Sequence, residues 1–462
     1  MTTCTSAIAT SLVGDELISS HDQLVRIFHE SERPRDAWRI GLEAEKFGVS
    51  TSTGAPLAYD DSRRGILRFW SELTRSGGWE PEREVPSGPI IALRRGQAAI
   101  TLEPGGQLEL SGSPDHDVHG VVTEFLSHLA ELDPICRDLG VAWLGVGFHP
   151  LATHDELPWV PKQRYAVMRP YLMSRGSRAL DMMRRTATVQ ANFDYSSEQD
   201  AMTKLGVLLR LSPVLGAMFA NAPFMEGRVT SSRSLRQAVW LDVDSERTGM
   251  IPELWGTRNP KYMDYVQWAI RAGMFLFKRQ EKIVVNAGQT FRSFVRHGYE
   301  GYQATLADWA LHLGTLFPEV RLKRTIEVRC CDSVCAALVP SVPALLTGLL
   351  YDETALDRAF ELALSISYQD AAAARLALPE LGLRAKLGSR SLASIAERVV
   401  EIASAGLAAR ARQRPDGQDE RVYLQPLIEN VAAARSPADD LIAAAARQPQ
   451  LSIHRIVELC RL

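Results

Sequence analysis

Residues 320–329 read VRLKRTIEVR, and residues 100–112 read ITLEPGGQLELSG. Side chains along a strand alternate between two faces. Taken as one strand, the first stretch puts Arg321, Lys323, Thr325, Glu327 and Arg329 on one face and Leu322, Arg324, Ile326 and Val328 on the other. Three cations and a carboxylate make a poor core face and a good lining for a site that holds anions. The second stretch carries Glu103 and Glu109 around a Pro-Gly-Gly turn. Two more segments have the same two-sided character. In residues 38–50 (WRIGLEAEKFGVS), Glu43 and Glu45 share a face while Leu42 and Ala44 share the other. In residues 185–195 (RTATVQANFDY), Thr188, Gln190, Asn192 and Asp194 alternate with Ala187, Val189, Ala191 and Phe193. One dry face and one polar face per strand predict an antiparallel sheet with helices on one side.

Around these strands the pattern is mixed. Apolar spacing predicts helices over residues 15–30, 62–76 and 115–139, over 197–220 with an interruption at Pro213, and over much of 341–408. Residues 90–93 and 98–102 read as a hairpin through Arg94-Arg95-Gly96-Gln97. Residues 141–148 (VAWLGVGF) read as an apolar strand whose Gly145 and Gly147 serve close packing; no third glycine makes them a dinucleotide fingerprint. Residues 415–417 (Pro-Asp-Gly) form a turn, and the Ala-rich chain beyond 422 is helical. The expected organisation is a catalytic α+β domain over residues 1–370 with a helical segment, 371–462, packed on it.

Composition narrows the function. With 462 residues, 46% of them hydrophobic, the chain can bury a large core. A net charge of −3 gives no electrostatic case for nucleic acid or an anionic membrane. No apolar run reads as a membrane span. The first twenty residues contain Ser and Thr but no Arg or Lys, unlike a secretory or transit leader, so the cytoplasm is the expected location. Six cysteines are too scattered for a disulfide scaffold, and Cys330, Cys331 and Cys335 are expected in a tight loop, with a thiol at the site mouth as the alternative.

If the four polar faces belong to one sheet, carboxylates, amides and cations line one cavity. Magnesium takes hard oxygen ligands and shares them with substrate phosphates. Arg and Lys neutralise phosphate charge. An ATP–magnesium site is therefore the chemistry these residues predict. No Walker, G-x-S-x-G or H-E-x-x-H motif is present.

Six blocks carry a family resemblance: GLEAEKFG (41–48), LEPGGQLELSG (102–112), MMRRTATVQ (182–190), FANAPFMEG (219–227), DSERTG (244–249) and FPEVRLKR (317–324). In these the chain resembles glutamate–cysteine ligases of the plant and proteobacterial type. The resemblance implies a glutamine-synthetase-like catalytic fold, an antiparallel sheet lining a Mg-ATP site with helices outside. It implies that ATP phosphorylates the side-chain carboxylate of glutamate and that the amino group of cysteine then displaces phosphate. It implies Glu43, Glu45, Glu103, Glu109 and Glu327 as magnesium ligands, Gln190 and Asn192 beside metal or nucleotide, and Arg321, Lys323 and Arg329 as the catalytic cations. Arg236, Arg185 and Trp240 are the implied substrate contacts. Expected partners are small molecules, with neither nucleic acid nor membrane; homodimer assembly stays open. The family's usual His and two Thr are here Ala238, Leu241 and Val243, and Cys330-Cys331 follows Arg329. Those departures leave open a paralogue that uses another amine, or a catalytically silent relative. A guanidino phosphotransferase is a more distant alternative.

Overall fold

The computed structural model describes residues 15–257, 259–280, 282–447 and 452–462. Among them, one antiparallel sheet holds nine strands: β1 (Ile40–Ser50), β2 (Glu80–Arg83), β3 (Ile90–Arg95), β4 (Ala98–Leu102), β5 (Leu108–Ser111), β6 (Val141–Leu144), β7 (Thr188–Phe193), β8 (Val320–Leu322) and β9 (Ile326–Asp332). Their order is β8–β9–β7–β1–β5–β4–β3–β2, with β6 paired to the end of β1 at Phe47–Ser50. The α+β class and the antiparallel sheet are as expected.

Residues 320–329 are two strands, not one. The chain turns at Lys323–Thr325, and Arg321 lies opposite Glu327. The expected face assignment survives because paired positions in this hairpin have the same parity, so odd-numbered residues stay on one side across the turn. In β7 and β1, Asn192 lies opposite both Glu327 and Gly41, and Gln190 lies opposite Glu43. Glu45 lies opposite Glu109, which lies opposite Thr101. The polar face thus runs as a continuous ladder over six strands, β8 to β4.

The other face is apolar. Ile40, Leu42, Ala44, Val189, Ala191, Ile326 and Val328 are all buried there. Helices α1 (Val118–Leu139), α3 (Glu198–Met218) and α4 (Ser341–Leu350) pack against the strands. Each fully buried Leu or Ile contributes about 1.5–3 kcal/mol. Further out, α5 (Glu353–Leu364), α6 (Tyr368–Leu381) and α7 (Leu392–Arg410) stack on α3, and α7 also on α4. Phe47 and Val49 continue the polar parity of β1 but are apolar; α8 (Ile453–Cys460) covers them with Ile456 and Val457.

Several elements differ from expectation. Helix α3 passes through Pro213 unbroken. Pro213 cannot donate to the Leu209 carbonyl, and the Ser212 hydroxyl bonds that oxygen at 2.9 Å. By length and composition α3 could cross a bilayer, contrary to the reading of the sequence; it is buried in the core. Residues 15–30 form only a 3₁₀ turn (His21–Val25) and a short helix (Arg26–His29), because Ser20 and Gln23 build a capping box that starts the helix late. The strand over 141–148 stops at Leu144. A Cβ on Gly145 would lie 2.4 Å from the Val334 carbonyl oxygen, and one on Gly147 would lie 2.5 Å from the Asp332 carboxyl carbon, so these glycines do serve close packing. Cys330 and Cys331 sit inside β9 rather than in a loop, and Cys335 is exposed; Cys4 lies outside the described residues.

The Glu-Pro-Gly-Gly-Gln turn docks the sheet onto α2 (Ala179–Arg185). The Gln107 side chain donates to the Thr186 carbonyl at 2.9 Å and accepts from Gly105 N–H at 2.9 Å. A Cβ on Gly105 would sit 2.3 Å from the Arg184 carbonyl oxygen. Gly105→Ala is therefore expected to destabilise the fold by about 1–3 kcal/mol, the cost of forced overpacking. Urea unfolding reads this, and an unchanged midpoint would refute the close-packing role.

Candidate active site

Strand pairing brings Glu43, Glu45, Glu109, Gln190, Asn192, Arg321, Lys323, Glu327 and Arg329 onto one face. Asn192 Nδ2 donates to Glu43 Oε1 at 3.1 Å. Thr188 N–H donates to Glu45 Oε2 at 2.9 Å, and Thr101 Oγ1 donates to Glu109 Oε2 at 2.6 Å. At the β8–β9 end, Glu327 is buried and receives three cations. Arg321 donates to both of its oxygens at 2.8 and 2.7 Å, Lys323 Nζ lies 2.9 Å away, and Arg329 Nη1 lies 2.6 Å away. Arg329 also donates to Gln190 Oε1.

The electrostatics divide this face in two. Burial raises Glu43 to about 8, with further repulsion from Glu327 and Glu109. Burial and then Glu109 and Glu103 push Glu45 well above the carboxylate range. Burial and Glu103 raise Glu109. At Glu327 burial acts the same way, yet Arg321, Lys323 and Arg329 outweigh it and hold the carboxyl well below its ordinary value. One end of the row is thus anion-attracting, and at the other Glu45 and Glu109 are buried and Glu43 half-buried, with no direct ion pair among the described residues.

A raised folded-state value ties stability to pH. Glu43 moves from an ordinary 4.5 to about 8. Its contribution is therefore complete below about 4.5 and is lost as pH rises through about 8. In metal-free buffer, Glu43→Gln should remove part of the decline in thermal stability between those values. Parallel wild-type and variant melting curves against pH would count against the shift.

The remaining implied residues fall into place unequally. Glu103 lies 3.8 Å from Arg164 at the edge of the row. Arg236 is buried, donates to the Arg329 carbonyl at 2.6 Å and approaches Asp332 at 3.6 Å. Trp240 stands beside it, with its ring 6.0 Å from the guanidinium. Arg185 instead pairs with Asp181 at 3.4 Å and Glu226 at 3.2 Å, under Phe148. Lys162 and Arg164 went unmarked by sequence reasoning. Lys162 Nζ donates to the Leu102 carbonyl at 2.7 Å, and burial and Arg164 lower it to about 8. They sit where a loop enters the helix Gln163–Met173, so neither strand nor helix periodicity points to them.

Among the described residues, no three His, Cys, Asp or Glu side chains are already gathered as a metal ligand set. The donor chemistry nevertheless fits a hard cation. Glu43, Glu45 and Glu109 supply only oxygens, and their mutual repulsion is relieved by a bound positive charge.

Carboxylates beside a cation cluster, on an antiparallel sheet with no P-loop, fit a ligase that activates a carboxylate with ATP. The chain belongs to glutamate-cysteine ligase family 2 (GCS2), which it matches over residues 39–458. It is 36% identical over 435 residues to the chloroplastic glutamate–cysteine ligase of Brassica juncea, covering 94% of this chain and 82% of the relative. The chloroplastic enzyme of Arabidopsis thaliana is 35% identical over 94% of this chain and 81% of its own. The fold is shared with the Francisella tularensis glutamate–cysteine ligase solved in complex with AMP, with a TM-score of 0.53 and 14% identity over 92% of this chain and 87% of that one. The chloroplastic relatives overturn the expected cytoplasmic location. That expectation rested on leader composition alone, and nothing in the packing of a catalytic sheet specifies a compartment.

Proposed function

We propose that this chain uses ATP to join the γ-carboxylate of L-glutamate to the amino group of L-cysteine. The observation that carries the reading is the row Glu43, Glu45 and Glu109 set beside the Arg321–Lys323–Arg329 cluster on one sheet face. A carboxylate is a poor acyl donor because its leaving group would be oxide. A carboxylate oxygen of glutamate attacks the γ-phosphorus of ATP; a P–O bond forms, the bond to ADP breaks, and an acyl phosphate results. The amine lone pair then attacks the carbonyl carbon of that acyl phosphate, the C–N bond forms, the C–O bond to phosphate breaks, and the nitrogen gives up a proton. Most of such phosphoryl chemistry is positioning and charge stabilisation.

In this reading Arg321, Lys323 and Arg329 neutralise the charge of the transferring phosphoryl group. Glu327 fixes the geometry of all three, so a phosphate arriving there meets a preorganised cation set. Glu43, Glu45 and Glu109, with Glu103 at the edge, would hold magnesium, which would offset negative charge on the phosphates. Gln190 and Asn192 orient Arg329 and Glu43. Arg236 takes a substrate carboxylate beside Trp240. Arg185, tied to Asp181 and Glu226, holds α2 in place instead.

The test is ADP release and product mass with ATP, magnesium, L-glutamate and L-cysteine. The expected product is γ-glutamylcysteine. ADP release that does not depend on glutamate would overturn the reading, and no ADP at all would overturn it in favour of a silent binding relative.

A further inference from the structure

A cavity of about 510 Å³ lies beside the site; Trp240, Val243, Met250, Trp268 and Tyr368 line it together with the charged Glu246, Glu253 and Arg271. Val243 and Met250 are buried, and the three aromatic rings make the wall broad and stiff. The cavity adjoins the catalytic face through two contacts. Trp240 packs on Phe317 with ring centroids 6.1 Å apart, and the Arg329 guanidinium lies 5.9 Å from the Phe317 ring. At the same end Arg375 lines the cavity. Its Nε donates to Glu319 at 2.6 Å and its Nη2 to the Trp240 carbonyl at 3.1 Å, while Nη1 has no hydrogen-bond partner among the described residues. A guanidinium held by two bonds, with a further donor group free, is a fixed anchor for a carboxylate.

We infer that this cavity is the side-chain subsite for the amine acceptor, and that it takes α-amino acids with branched or aromatic side chains as well as cysteine. The inference rests on the ligase reading above. The acceptor's carboxylate binds Arg375, its side chain lies among Val243, Met250, Trp268 and Tyr368, and its amino group is left at the Trp240 end, nearest Arg329. The mercaptomethyl side chain of cysteine fills little of such a volume; a leucine or phenylalanine side chain fills more and buries more apolar area there.

The experiment compares kcat/KM for L-cysteine, L-2-aminobutyrate, L-leucine and L-phenylalanine with ATP, magnesium and L-glutamate, in the wild type and in Ala372→Trp. Ala372 is a half-buried residue of the wall, and a tryptophan there fills the cavity. The expected result is that leucine and phenylalanine are used at rates within about tenfold of cysteine, and that Ala372→Trp lowers the leucine-to-cysteine ratio by about tenfold or more. Arg375→Met gives an independent reading, expected to raise acceptor KM more than the KM for ATP, with circular dichroism confirming the fold. The inference is overturned if cysteine is used while leucine and phenylalanine give no product, or if the ratio is unmoved by a folded Ala372→Trp. No ADP with glutamate and cysteine would overturn the ligase reading, and this one with it.

Discussion

Glu327→Ala is expected to destabilise the protein by about 3–5 kcal/mol, the cost of leaving buried charges unpaired. Glu327 is buried and holds Arg321, Lys323 and Arg329, each mostly buried itself. Removing the carboxylate leaves three cations facing one another in a poorly solvated space. Ala is smaller, so no new clash adds to the loss, and the double variant separates the electrostatic part from the cavity the shorter side chain leaves. Urea unfolding followed by fluorescence measures it. The second arm is Glu327→Ala with Arg321→Met: removing one cation should recover part of the loss, giving a coupling energy of about 1–3 kcal/mol. A loss below about 1 kcal/mol in the single variant would mean that solvent screens the cluster and that it is not preorganised. Turnover should fall with stability here, since the same carboxylate positions the phosphate-facing cations.

Glu45→Gln is expected to separate the two properties. Its carboxyl is buried beside Glu109, and its ionised form is costly. Gln keeps an oxygen for the Thr188 N–H that Glu45 accepts at 2.9 Å, while shedding the charge. In metal-free buffer near pH 8 the variant should be at least as thermally stable as wild type. Its kcat should fall by about 10²–10³-fold, the scale on which preorganised charge contributes to such steps. Stability and activity falling together would make Glu45 a structural residue and would remove it from the metal-binding set. Sites that store repulsion for function trade stability in this way.

The alternation of Glu43 and Glu45 with Leu42 and Ala44, and of Gln190 and Asn192 with Val189 and Ala191, was legible because the strand period of two is set by local backbone geometry. The face shared by Arg321, Glu327 and Arg329 was legible for the same reason, and it stayed correct through an unforeseen turn only because the hairpin pairs residues of like parity. Helix boundaries were less so. Pro213 reads locally as a break, yet Ser212 satisfies the orphaned carbonyl and the core holds α3 straight through it. Cys330 and Cys331 read as loop residues, but pairing of β9 with β7 decides that they are strand.

Sequence by itself determined the two-faced strands, the carboxylate and cation inventory of the polar face, and the family blocks that name its chemistry, because each is carried by residues a few positions apart. Tertiary structure alone decided that Glu327, which the resemblance implies as a magnesium ligand, is paired with Arg321, Lys323 and Arg329. It also decided that Arg185 turns to Asp181 and Glu226, that Lys162 and Arg164 reach the Glu103 edge, and that a cavity lies behind Trp240. Those outcomes depend on which side chains meet across strands and loops far apart in the chain, and the energy of a buried charge is set by its partners and its distance from water, neither of which local periodicity encodes.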